Sequence, residues 1–282
     1  MEKIRKPSVA GRFYPADKEE ITEIIYSVRE MELDKINRSL ASGNHLLGGV
    51  SPHAGYVFSA YQAIHLYDIL ATTHEQFETF VIVNPNHSGL GTTDYNLCGY
   101  TAWETPLGKV ELDTEMAEAL DIVVSDAAHD SEHSGEVQVP FLQLLLKYPF
   151  KILPITMNRQ NPEAAALLAG KIEIAASKLK RKIFLIASSD FCHYLPPALG
   201  AKIDDAVLTH MLHLDTANTY KTVKELKASI CGYGPIMTLM EYLKRVAIKP
   251  QLTILRRGHS GDVHPSDRVV DYVSMLGYEK TK

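Results

Sequence analysis

The chain has 282 residues, 45% of them hydrophobic and 22% charged, which suits one large α/β domain or two small ones. Its net charge of −5 argues against the broad basic surfaces that nucleic acid or an anionic membrane requires. Three widely spaced cysteines, Cys98, Cys192 and Cys231, include no Cys-x-x-Cys pair, so a disulfide scaffold is not expected and a reducing cytoplasm is. No apolar run approaches the roughly eighteen residues of a membrane span. Met1 to Pro7 carries charge with no apolar stretch behind it, unlike a secretory signal.

In chain order, residues 7–15 are too rich in Pro and Gly for a helix and read as an ordered loop with aromatic anchors. Asp17 is an N-cap, with Glu20 as capping-box partner, for a helix whose face carries Ile21, Ile24, Ile25 and Val28. Residues 31–45 read as a polar surface connection. Leu46–Val50 is a short buried strand that runs into Ser51-Pro52-His53-Ala54-Gly55-Tyr56, and a helix spans Phe58–Leu70. Glu78–Val83 repeats the arrangement, with Asn84-Pro85-Asn86-His87-Ser88-Gly89 as its turn. Tyr95–Tyr100 and Gly108–Leu112 read as strands around Trp103–Leu107. Asp113 caps a helix to Leu120, Ile122–Val124 reads as a further strand, and Ala127–Glu136 lacks periodicity.

Helical spacing over Val137–Tyr148 meets Pro140, so the helix begins or kinks there. Pro154 places the strand Lys151–Thr156 near a sheet edge. A helix over 162–180 precedes the clearest strand, Lys182–Ser188, which ends in Ser189-Asp190-Phe191-Cys192-His193-Tyr194. Helices over Leu199–Leu212, Thr219–Lys227 and Pro235–Ala247 follow, then strands Leu252–Leu255 and Val269–Gly277 around a polar loop, Arg256–Asp267. Strands alternate with helices and no linker divides the chain, which predicts one α/β domain over residues 1–282 with a mixed sheet.

His53, His87 and Cys231 each sit in a Gly- or Pro-bounded turn beside an element. Two imidazoles and a thiolate could form an open three-ligand site for iron(II), copper or zinc. Spacing alone leaves open that each is an isolated turn residue. Asp190 and His193 follow the strongest strand, where the carboxylate could orient or tune the imidazole and His193 could act as general acid or base; an Asp that merely caps the next element is the competing reading. Glu132 and His133 could stand behind the ligands or face substrate, while for Glu132 a helix N-terminus capped by Ser134 is the better reading. Cys192 reads as a small buried residue, His65, His210 and His213 as satisfied helix histidines, and His129, His259 and His264 as surface residues. Neither a Gly-x-Ser-x-Gly elbow nor a Gly-rich phosphate loop is present.

His53-Ala54-Gly55-Tyr56, Pro85-Asn86-His87, Glu132-His133-Ser134, Ser188-Ser189-Asp190-Phe191-Cys192-His193-Tyr194 and Cys231-Gly232 with Pro235 together resemble the Memo family. Val9-Ala10-Gly11-Arg12-Phe13-Tyr14-Pro15 resembles its N-terminal segment. The resemblance spans Pro7 to the final strand and implies a fold like the class III extradiol dioxygenases (LigB-type): a central mixed sheet flanked by helices, with one metal site in a crevice. It implies His53 and His87 as ligands and His193 as acid/base. Cys231 stands where those dioxygenases use glutamate, which puts ring cleavage in doubt and favours copper(I) or redox-active iron(II). The resemblance further implies redox roles, a small-molecule or phosphopeptide ligand, and AMMECR1-domain and radical SAM partner proteins.

Two functions follow as expectations. One is a metal-dependent redox enzyme. The other is a non-catalytic module on the same fold that binds metal or a phosphopeptide.

Overall fold

Four apolar runs form the parallel centre of an eight-stranded mixed sheet in the computed structural model. The model describes residues 2–281; Met1 and Lys282, the two ends of the expected 1–282 domain, lie outside the described residues. The N-terminal half comprises β1 (Ile4–Arg5), α1 (Lys18–Glu32), β2 (Asn44–Ser51), α2 (Tyr56–Thr72), β3 (Thr79–Pro85), β4 (Tyr95–Asn96), β5 (Ala102–Thr105), β6 (Gly108–Glu111), α3 (Thr114–Leu120), α4 (Ala127–Asp130) and α5 (Val139–Leu145). There follow β7 (Lys151–Met157), α6 (Pro162–Leu179), β8 (Ile183–Ser188), β9 (His193–Leu195), α7 (Pro197–Leu212), α8 (Thr216–Leu226), α9 (Tyr233–Val246), β10 (Pro250–His259) and β11 (Val269–Lys280). The sheet order is β10-β11-β2-β8-β3-β7-β4, with β9 paired to β11 and a small second sheet of β1, β5 and β6.

The central strands are apolar throughout because both faces are covered. Alternate residues enter two cores. Val81, Val83, Leu185 and Ala187 pack with α6, α7 and α9, whereas Phe80, Ile82, Phe184 and Ile186 pack with α1, α2 and α5. Gly48 and Gly49 of β2 admit Leu239 of α9 and Leu66 of α2 so closely that a Cβ at either position would collide with them. The strand that delivers His53 is thus gripped from both faces.

Several boundaries differ from the sequence reading. Trp103–Thr105 is not a connection: β5 and β6 form a hairpin through Pro106 and Leu107, with Trp103 buried in the core. Ile122–Val124 forms no strand, only a bridge from Leu97 to Val124. The segment read as aperiodic contains α4, and its His129 is buried rather than on the surface, with Nε2 on the Asn96 carbonyl at 3.0 Å. His259 is likewise in β10, not in a loop, because the strand continues through Arg256 and Arg257. These polar residues pair with Ser274 and Val273 of β11 after a register shift, as an edge strand with a solvated side permits. Pro140 falls in the first turn of α5, where its missing N–H costs nothing. Pro154 lies on β7, whose outer neighbour is only the two-residue β4.

Candidate metal centre

The parallel strands end together, and the loops beyond Ser51, Pro85 and Ser188 converge there. Open α/β sheets place functional groups outside this end. His53 follows β2. Its backbone N–H donates to Asp190 Oδ1 at 2.7 Å, and its Nδ1 lies 2.9 Å from Ser188 Oγ. Ser188 Oγ spends its proton on the Ser134 carbonyl (2.7 Å) and accepts from Gln138 Nε2 (2.9 Å). It must therefore accept from His53 Nδ1–H, and this network assigns the tautomer that leaves Nε2 unprotonated.

His87 reaches the same result with a carboxylate. Its backbone N–H donates to Glu132 Oε2 at 2.6 Å and its Nδ1 to Oε1 at 3.0 Å. Glu132 also accepts from the Ser134 backbone N–H and Oγ. It is not a solvated helix-terminal charge, as its neighbours in sequence suggest, but a buried group with both oxygens engaged. Burial raises its pKa, but the His87 and Ser134 bonds outweigh that and bring it down to about 2. His133 is held more loosely, with Nδ1 3.5 Å from Glu132 Oε1 and its ring 4.6 Å from that of Phe13.

The rings of His53, His87 and His133 stand 5.2, 5.3 and 4.7 Å apart, and one ligand nitrogen from each lies within 4.8 Å of the others. Two nitrogens bound to one ion at ~2.1 Å are at most ~4.2 Å apart, so a small inward rotation suffices. A hydrogen-bonded outer nitrogen with a free inner one is how ligating imidazoles are held. The donor set fits a mid-sized transition metal. Burial, then the like charges of the other histidines, pushes His53 well below 6.5; burial also lowers His133 to about 4, so both are neutral and able to ligate near pH 7.

Cys231, expected as third ligand, lies against the trio. Its Sγ is 3.1 Å from His53 Nε2 and accepts from the Asp190 backbone N–H at 3.2 Å. Burial, reinforced by the Asp190 charge, pushes the thiol up. His133, expected to face substrate, occupies the place beside His53 and His87. Asp190 is buried, and its pKa is raised to about 6 by burial against the His53 and Ala54 N–H bonds. It fastens the His53 turn and does not hydrogen-bond His193. Ser229 orients His193, through its carbonyl to Nδ1 and its Oγ to the backbone N–H, both at 2.7 Å. Among the described residues nothing bonds His193 Nε2. Cys192 is fully buried, as expected. Ser188, Gln138 and Phe13 carry no local signal for this role; Phe13 was legible only as an aromatic anchor.

Fold and site together define an α/β protein with a histidine cluster at the carboxyl ends of its parallel strands. A family model described as Memo-like protein matches residues 5–276, and the chain belongs to the Memo family. A MEMO1 family protein of Archaeoglobus fulgidus is 39% identical over 97% of this chain and 99% of its own length. Another, PAE0818 of Pyrobaculum aerophilum, is 38% identical over 98% and 99%. The crystal structure of the uncharacterized protein JW3007 from Escherichia coli K12 shares the fold, with a TM-score of 0.54 at 11% identity over 82% of this chain and 99% of that one. No helix among the described residues is long and apolar enough to cross a membrane.

Proposed function

We propose that the chain is a metal-dependent redox enzyme with one iron(II) or copper(I) ion held by His53, His87 and His133, and with Cys231 as a neighbouring soft donor. The convergence of three imidazoles within 4.8 Å carries this reading. Such an ion would supply one-electron redox chemistry and Lewis acidity. The residues around it perform the rest. Ser188 and Glu132 keep two imidazoles in the ligating tautomer. Asp190 fixes the His53 turn. Ser229 holds His193 with Nε2 unpartnered, positioned to accept or deliver a proton. Phe13 packs against the His133 ring.

The test is anaerobic reconstitution with iron(II) or copper(I), followed by oxygen consumption with small aromatic and thiol substrates. Metal-dependent consumption that falls in Cys231→Ala and His193→Ala is expected. Bound metal without turnover across the substrate set would favour the binding-module alternative, and failure to bind either metal would end the reading.

A further inference from the structure

The N-terminal segment lies far from the site in sequence, yet it touches two of the loops that build it. Arg5, on β1, is buried and donates from Nε to the His129 carbonyl at 2.9 Å and from Nη2 to the Glu132 carbonyl at 2.9 Å. Its Nη1 pairs with Glu136 at 2.6 Å, and its guanidinium stacks over Trp103 at 4.4 Å. Glu136 in turn accepts from the backbone N–H groups of Ser8 and Val9 and from the Tyr14 hydroxyl. The loop over residues 7–15 is thereby fastened to the arm that carries Glu132 and His133. At its far end the Phe13 carbonyl accepts the Tyr56 N–H at 2.7 Å, which ties it to the turn of His53. The Phe13 ring lies against His133.

His133 is also the member of the trio whose ring makes no hydrogen bond among the described residues: its Nδ1 stands 3.5 Å from Glu132 Oε1, against bonds of 2.9 and 3.0 Å for His53 and His87. A nitrogen–oxygen separation of 3.5 Å is too long for a firm bond. Beyond the rings of His53 and His87 themselves, the aromatic contact that holds the ring is packing against Phe13.

We propose that Phe13 is a positioning residue for His133, and that the segment from Arg5 to Tyr14 is a brace that keeps this imidazole in register with His53 and His87. The functional consequence rests on the metal reading above; the brace itself does not. Phe13 is half-buried and packs at the margin of the core beneath α1, α2 and α5, so truncating it removes a peripheral contact and none of that core's buried members.

Two measurements test this. In the metal-free protein, specifically labelled histidines give a nuclear Overhauser contact between the His87 and His133 rings, whose centroids are 4.7 Å apart. That contact is expected to vanish in Phe13→Ala and to return in Phe13→Tyr, which restores the ring. In parallel, cobalt(II) affinity is measured for wild type, Phe13→Ala, His133→Ala and the double variant. Phe13→Ala is expected to weaken binding about ten-fold or more in the wild-type background and by less than about two-fold when His133 is already absent. Should Phe13→Ala not fold, Phe13→Leu, which keeps apolar bulk but no ring, takes its place. An unchanged ring contact, or an equal loss of affinity in both backgrounds, overturns the proposal. If wild type takes up no metal while the ring contact behaves as expected, the brace stands and the metal reading falls.

Discussion

Replacing Glu136 by Gln is a severe test of how the N-terminal segment is held. Glu136 and Arg5 are 1% and 2% exposed, and the carboxylate accepts from Arg5 Nη1 (2.6 Å), Ser8 N and Oγ (2.9 Å each), Val9 N (3.0 Å) and Tyr14 Oη (2.6 Å). Glutamine keeps the shape but removes the charge, and turns one acceptor into an N–H pair facing donors. Breaking a buried pair while its partner stays charged costs about 3–5 kcal/mol. At roughly 2 °C per kcal/mol for a domain of this size, Tm should fall by about 6–10 °C. Calorimetry or circular dichroism at pH 7 measures this directly.

The pH dependence gives an internal control. Burial pushes the Glu136 carboxyl up, but the Arg5 charge and the Tyr14 and Ser8 bonds overcome that and hold it below 4.5. A depressed folded-state pKa stabilises above the unfolded value and is lost as pH falls through the folded one. The gap between wild type and Glu136→Gln should therefore shrink as pH drops below about 4.5. A Tm within about 2 °C of wild type at pH 7 would refute the reasoning.

Other expectations follow from buried groups nearby. Asp204 of α7 and Asp271 of β11 are both buried, and each has an Oδ2 with no donor unless one carboxyl is protonated and bonds the other. Burial raises Asp204 to about 7, with the Asp271 charge adding to it and the Cys192 thiol, as a donor, opposing. A raised folded-state pKa stabilises fully below the unfolded value and is lost as pH rises, so Asp204→Asn should gain on wild type between about pH 4 and 8 in urea unfolding, and a constant or opposite difference would contradict this. In Gly232→Ala the added Cβ would collide with the Ser188 carbonyl and the Ser189 side chain, destabilising by about 1–3 kcal/mol and moving Cys231 off His53. Thiol-reagent kinetics should show faster modification of Cys231. Ser188→Ala removes the acceptor that assigns the His53 tautomer, so nitrogen-15 shifts of His53 should show mixed tautomers where wild type shows one.

The sheet was legible because its central strands are short apolar runs, three of them stopped by Pro or Ser, and the same local signal marks His53, His87 and Asp190 at strand ends. Edge elements were less so. The run Arg256–His259 reads as loop because β10 needs no apolar outer side, and Trp103 reads as connection because a two-residue turn hides between two four-residue strands. Within the site, His133 and Glu132 sit in a segment with no period, so the chain alone gives them no partner. Their partners come from the loop after β3 and from the N-terminus, and such convergence is a property of the folded chain. Ser188 and Gln138 are buried polar residues whose function appears only when the end of β8 meets the turn that precedes α5.

Metal stoichiometry with the ligand variants tests the central claim most directly. Anaerobically purified protein, loaded with iron(II) or copper(I) and passed through a desalting column, should retain about one ion per chain, as a single mononuclear site requires. His53→Ala, His87→Ala and His133→Ala should each abolish retention, while Cys231→Ala weakens it. Full retention in His133→Ala, with loss in Cys231→Ala, would contradict the three-histidine assignment and return the third position to the thiol.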